Sequence, residues 1–173
     1  MLEEDINYKE AIIAAVDLTK YSIPALLFAA DLAFDTKSPL IILHSVHDPA
    51  NSPGFYKIKN KEKTKTMPMD KIAKKMLKSF LNKVAEECEH PEVIKNANIT
   101  LVTGLPETQI LNFINNKKVR VLVIGSHGKK GLSKILSGSI VDNIIKYSLV
   151  PVTVVKNKKM KKLIKKAGYE TIE

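Results

Sequence analysis

Four nearly uninterrupted apolar runs constrain this chain more than any other feature: Ala11–Val16, Leu40–Val46, Val119–Ile124 and Val152–Val155. A strand that faces water on one side alternates apolar and polar residues, so runs without alternation belong to strands covered on both faces. Helical periods separate them. Ser22-Ile23-Pro24 opens a segment in which Leu26, Leu27, Ala30 and Ala33 share a face, with Pro in the first turn. Asp70 stands at the start of a second, striped by Ile72, Met76, Leu77, Phe80, Leu81 and Val84 and ending before Pro91. Ile99–Val102 reads as a further strand, broken by Gly104-Leu105-Pro106 ahead of a helix carrying Ile110, Leu111 and Ile114. A last helix is expected around Ser139 to Tyr147. Connections of this length are crossovers, not hairpins. The order implies an α/β fold: an open five-stranded parallel sheet with helices on both faces, a Rossmann-like sandwich.

At 173 residues the chain is expected to form one domain, over residues 1–156. A Lys-rich insertion at about 48–69 and a Lys-rich C-terminal extension, 157–173, stand apart in composition. Lys and Arg exceed Asp and Glu by 28 to 18, a formal charge of +10. Much of that excess lies in the tail, where Lys156, Lys158, Lys159, Lys161, Lys162, Lys165 and Lys166 run without an acid among them. Met160, Leu163 and Ile164 fall at helical spacing within it. Such a run is either a solvated extension or a contact for RNA or anionic lipid. With no Trp and no aromatic-rich strand to stack bases, no specific nucleic-acid recognition is expected. The single Cys88 cannot make an internal disulfide. The acidic N-terminus does not read as a secretory signal, and no apolar run has the length of a membrane span, so a cytoplasmic location is expected.

In open parallel sheets, ligands bind beyond the carboxyl ends of the strands, where crossovers leave toward opposite faces. The fourth strand runs into Gly125-Ser126-His127-Gly128, then nine residues, then Gly138-Ser139. Glycines let backbone N–H groups approach a phosphate closely, and a helix opening at Gly138-Ser139 offers unpaired N–H groups to an anion. No G-x-x-x-x-G-K-[ST] occurs, and Ala15-Val16-Asp17-Leu18 lacks the glycines of a dinucleotide fingerprint.

The segment from Val121 to Gly128, through Leu136-Ser137-Gly138-Ser139-Ile140, to Pro151–Val155 resembles the nucleotide-binding universal stress proteins, and the likeness extends from Ile12 to about Lys156. In that family the G-x-x-G-x9-G-S signature marks the ATP-binding members. The resemblance implies an adenine nucleotide α-hydrolase-like fold holding ATP or another adenine nucleotide, with Mg²⁺ or Mn²⁺ arriving through the phosphates. It implies that Gly125, His127, Gly128, Gly138, Ser139 and Ile140 wrap the ribose and phosphates, largely by main-chain N–H groups. Asp17 would accept hydrogen bonds from the adenosine part, and Ser45 or Val46 would meet the adenine edge through backbone atoms. The strand residues Ala15, Val16 and Ile124 complete that site. It also implies a homodimer through the fifth strand, Val152 to Val155. Family members commonly carry Asp-Gly-Ser or Asp-Phe-Ser after the first strand, whereas this chain has Asp17-Leu18-Thr19.

Each of these residues has a plainer role to weigh. Asp17 could simply cap the following loop. His127 has no paired carboxylate or nucleophile in its motif, so it reads as a positioning residue. Within a buried run, His44 reads as a satisfied core histidine, and His47, His90 and Cys88 form no ligand constellation. Lys129, Lys130 and Lys134 could neutralise phosphates or solvate a loop. The leading expectation is an ATP-binding regulatory or stress-response module in which nucleotide shifts partner binding. A slow metal-dependent ATPase or phosphotransferase ranks second, because the motif holds no Gln or Glu to orient a water. A polyanion-associating protein ranks third.

Overall fold

A computed structural model of the chain describes residues 6–47, 69–126 and 140–156. Within them a short 3-10 helix (Tyr8–Glu10) leads into β1 (Ile12–Ala15), α1 (Ile23–Thr36), β2 (Leu40–Val46), α2 (Met69–Glu86), α3 (Pro91–Lys95), β3 (Asn98–Thr103), α4 (Pro106–Lys117), β4 (Val121–Gly125), α5 (Ile140–Tyr147) and β5 (Val152–Val155). The strands form one parallel sheet in the order β3-β2-β1-β4-β5. The five-stranded α/β sandwich expected from the apolar runs is the fold observed.

Every residue of β1 is buried, because the side chains on its two faces enter two different cores. Ile12 and Ala14 join Leu40, Ile42 and Val123 beneath α1, α2 and α3, where Leu26, Ala30, Leu77 and Val84 are fully or almost fully buried. Ile13 and Ala15 join Ile41, Leu43, Leu122 and Ile124 beneath α4 and α5, against Ile110, Ile114 and Ile144. The chain steps from β1 to β2 to β3 with helices on the first face. It then crosses back over the sheet and steps from β4 to β5 with helices on the second. Reversing the direction of travel while keeping one crossover hand obliges the helices to change face. The reversal leaves a switch point between β1 and β4, where crossovers diverge.

The structure corrects three details of the sequence reading. Pro91–Lys95 forms α3, a single turn and a half with Pro at its start, too short for a helical period to show. The helix α2 begins at Met69, so Asp70 lies inside its first turn instead of ahead of it. The first strand stops at Ala15, one residue short of the apolar run, for a reason that involves His44. The Lys-rich insertion, apart from its last residue Met69, and the extension at 157–173 lie outside the described residues.

Candidate functional site

The register pairs Ala15 of β1 with Ile124 of β4, so Asp17 and Ser126, each two residues further on, reach the same rim of the sheet. On the far side of β4, Gly125 pairs with Val155, and the Ser126 N–H donates to the Val155 carbonyl at 3.0 Å. On the other flank, Leu43 pairs with Ala15, which brings Ser45 and Val46 to that rim as well. Of the residues singled out in the sequence, Ala15, Val16, Asp17, Ser45, Val46, Ile124 and Gly125 therefore gather at the carboxyl ends of three adjacent strands. Ile140 is the first residue of α5. His127, Gly128, Gly138 and Ser139, with Lys129, Lys130 and Lys134, lie outside the described residues.

The two carboxylate oxygens of Asp17 stand in different surroundings. Its Oδ1 accepts from the Thr19 N–H at 3.0 Å and from the Thr19 hydroxyl at 2.7 Å, closing an Asx turn. Its Oδ2 is buried and has no hydrogen-bond partner, and among the described residues it is the one buried side-chain polar atom in that state. An unpaired buried acceptor costs about 1–3 kcal/mol, and such groups in folded proteins call for an explanation, a missing donor being one. The turn also requires Leu18 to sit at φ 61°, a left-handed conformation that costs a non-glycine residue about 1–2 kcal/mol. Thr19 was not singled out beforehand as Asp17's partner. The Asp-x-Thr spacing, which suits a side chain reaching its own backbone two residues on, was the available signal.

The end of β2 is tied on both sides. The buried His44 Nδ1–H donates to the Val16 carbonyl at 2.7 Å, which makes it the satisfied core histidine expected and occupies the acceptor just past β1 that a further ladder bond would use. The Ser45 hydroxyl donates to the Gly104 carbonyl at 2.7 Å, and the Gly104 N–H donates to the Val46 carbonyl at 3.1 Å. Gly104 sits at φ 133°, and a Cβ there would approach the Gln109 amide to 2.9 Å, so glycine is required. The Ser45 hydroxyl is thus committed within the fold.

Two hollows flank this arrangement. One of about 230 Å³ adjoins the loop after β1, between Leu18, Met76, Phe80 and Lys83. Another of about 730 Å³ opens at the opposite, amino-terminal rim, between Phe34, Lys37 and Pro39 on one side and Val93, Asn96 and Asn98 on the other. The groups whose proton affinity is shifted lie away from the strand ends. Burial raises the Asp31 pKa against the lowering effect of His90, with Glu89 and Asp35 adding to the rise. Burial also raises that of Cys88, against a lowering backbone hydrogen bond at His90, which disfavours the thiolate.

The sequence profile of the universal stress protein family matches residues 9–156, the whole of the sheet and its helices. The chain belongs to the universal stress protein family. The universal stress protein MJ0577 of Methanocaldococcus jannaschii is 43% identical to it over 58 residues, 34% of this chain and 36% of that protein, so the aligned part spans about a third of the relative. Among solved structures, the universal stress protein UspA from Lactobacillus plantarum superposes with a TM-score of 0.61 at 18% identity, covering 85% of this chain and 97% of that one. The universal stress protein from Archaeoglobus fulgidus in complex with dAMP superposes with a TM-score of 0.52 at 20% identity, covering 87% of this chain and 100% of that one. These likenesses establish the fold of this universal stress protein. Among its described residues no helix is long and apolar enough to cross a membrane.

Proposed function

We propose that this universal stress protein binds an adenine nucleotide, ATP in the first instance, across the carboxyl ends of β1 and β4 and works as a nucleotide-dependent regulatory module. The observation that carries the reading is the unpaired Asp17 Oδ2 at the switch point. A carboxylate oxygen repels phosphate and accepts from O–H and N–H groups, so it fits a ribose hydroxyl or a base amine. In this reading the nucleoside lies over β1 and the phosphates toward Gly125 and the glycines that follow it in sequence. Gly128, Gly138 and Ser139 supply N–H donors in this reading, His127 and Ile140 flank them, and Mg²⁺ or Mn²⁺ accompanies the triphosphate. Ala15, Val16, Ser45, Val46 and Ile124 form the floor. The dAMP held by the Archaeoglobus relative supports an adenylate as the ligand class.

The test is to denature protein purified without added nucleotide, identify any released small molecule by mass spectrometry, and titrate the emptied protein with AMP, ADP and ATP by calorimetry. Saturable binding at one site per chain is expected, with ATP favoured when Mg²⁺ is present. Absence of binding to all three at millimolar concentration refutes the reading.

The same proposal includes a homodimer. Strand β5 is an edge of the sheet, its residues Val152–Val155 are all only half-buried, and Leu149 just before it is 83% exposed. An apolar edge strand left open invites pairing, and a second copy of the chain supplies a matching edge.

A further inference from the structure

We infer that His44 is a positioning residue for the nucleotide-facing carboxylate of Asp17; this rests on the nucleotide reading above and names the device that aims the carboxylate. His44 lies inside β2, 3% exposed. Its imidazole reaches across to the residue that follows β1, where Nδ1 stands 2.7 Å from the Val16 carbonyl. A carbonyl only accepts, so Nδ1 carries the proton in this contact.

The peptide group that contains the Val16 carbonyl also contains the Asp17 N–H. Fixing that plane fixes the direction in which the chain leaves the sheet. The Val16 N–H is itself held by the Leu43 carbonyl at 3.0 Å, so both polar groups of Val16 are pinned to β2, one by backbone and one by the His44 ring. Two residues later the chain is in the left-handed turn at Leu18, with Asp17 Oδ1 committed to Thr19. Between those two anchors Oδ2 is held buried and without a partner among the described residues. A turn anchored at its far end alone would let the carboxylate swing and satisfy itself with water. Holding an unpaired acceptor in place is the preorganisation that a binding site needs, and it requires a rigid support behind it.

The experiment compares His44→Leu, which removes the donor, with His44→Asn, whose Nδ2 stands the same number of bonds from the backbone as the imidazole Nδ1. Each is made alone and combined with Asp17→Asn. AMP affinity is measured by calorimetry, and exchange of the Thr19 amide is followed by NMR in the ligand-free protein. His44→Leu is expected to weaken AMP binding about tenfold in the wild-type background and less than about twofold when Asp17 is already Asn, because the lost interaction is shared. His44→Asn is expected to restore most of the affinity. Thr19 exchange should accelerate in His44→Leu beyond what its lower melting temperature accounts for.

Equal loss of affinity in both backgrounds, or Thr19 exchange that tracks global stability alone, overturns the inference and leaves His44 a packing residue. If His44→Leu does not fold, His44→Gln, which carries its amide one carbon too far, replaces it with the same expectations. Failure of the wild type to bind AMP defeats the nucleotide reading, and with it the role of His44 in binding. The ligand-free Thr19 measurement separately decides whether His44 sets the turn.

Discussion

Asp17→Asn separates the proposed binding role of this residue from its structural one, because one oxygen is bonded within the fold and the other is not. The amide oxygen of Asn can keep both Thr19 hydrogen bonds now made by Oδ1, at 3.0 and 2.7 Å. The amide nitrogen then occupies the place of Oδ2, an acceptor that has no partner among the described residues. In the free protein the two Thr19 hydrogen bonds weaken on losing the charge, but a neutral amide is cheaper to bury than an unpaired carboxylate oxygen, so stability in urea should rise or stay level within about 1 kcal/mol. In the complex an acceptor becomes a donor facing a donor. The charge-assisted hydrogen bond that disappears is worth about 1.5–3 kcal/mol, so AMP affinity should fall about 10- to 100-fold. The two effects have opposite signs, which no general loosening of the fold can produce. Calorimetric titration with AMP, paired with urea melts of the same samples, reads both. An affinity unchanged within about twofold, or a stability loss as large as the affinity loss, refutes the assignment of Oδ2 to the ligand.

Asp31→Asn should raise stability at neutral pH. Because burial raises its folded-state pKa, the folded chain holds that proton more tightly, and the contribution present at low pH is lost as pH rises through the folded pKa. The gain on substitution should therefore shrink toward zero in urea melts below the ordinary carboxylate range, and a gain independent of pH would contradict it. Lys37 and Lys118 close α1 and α4 in the left-handed conformation, at φ 52° and 53°, and both are exposed. Glycine at either should raise the melting temperature by a few degrees, from about 0.5–1 kcal/mol of relieved strain, as followed by calorimetry. Leu149→Lys should convert a dimer of about twice 19.3 kDa into a monomer under light scattering, whereas an unchanged mass would place the interface elsewhere.

Much of this architecture was legible because burial on both faces writes itself into sequence as uninterrupted apolar runs. Ala11–Val16 and Leu40–Val46 could hardly be anything other than inner strands. The strand order was not legible, since it depends on which edge each crossover joins and not on any local period. The short α3 went unseen because five residues cannot show a helical stripe. The left-handed turns at Leu18, Lys37 and Lys118 were hidden because none is a glycine, whereas Gly104 announced its own. The rule that ligands gather past the carboxyl ends of parallel strands singled out Asp17 and Gly125, and the strand register brings both to one rim of the sheet. What sequence could not separate was a capping role for Asp17 from the proposed ligand contact. The structure commits Oδ1 to the capping bonds and leaves Oδ2 buried without a partner among the described residues. His44 was correctly read as a buried, satisfied side chain, but its partner, 28 residues away just past β1, became visible only once the strands were paired.

The central claim is that an adenylate lies across the ends of β1 and β4, and a titration of ¹⁵N-labelled protein with AMP and then ATP followed by NMR tests it most directly. The account predicts saturable shifts of the Asp17, Leu18, Gly125 and Ser126 amides. Shifts confined to the hollow between Phe34 and Asn98 at the opposite rim, with those four amides unmoved, would contradict it.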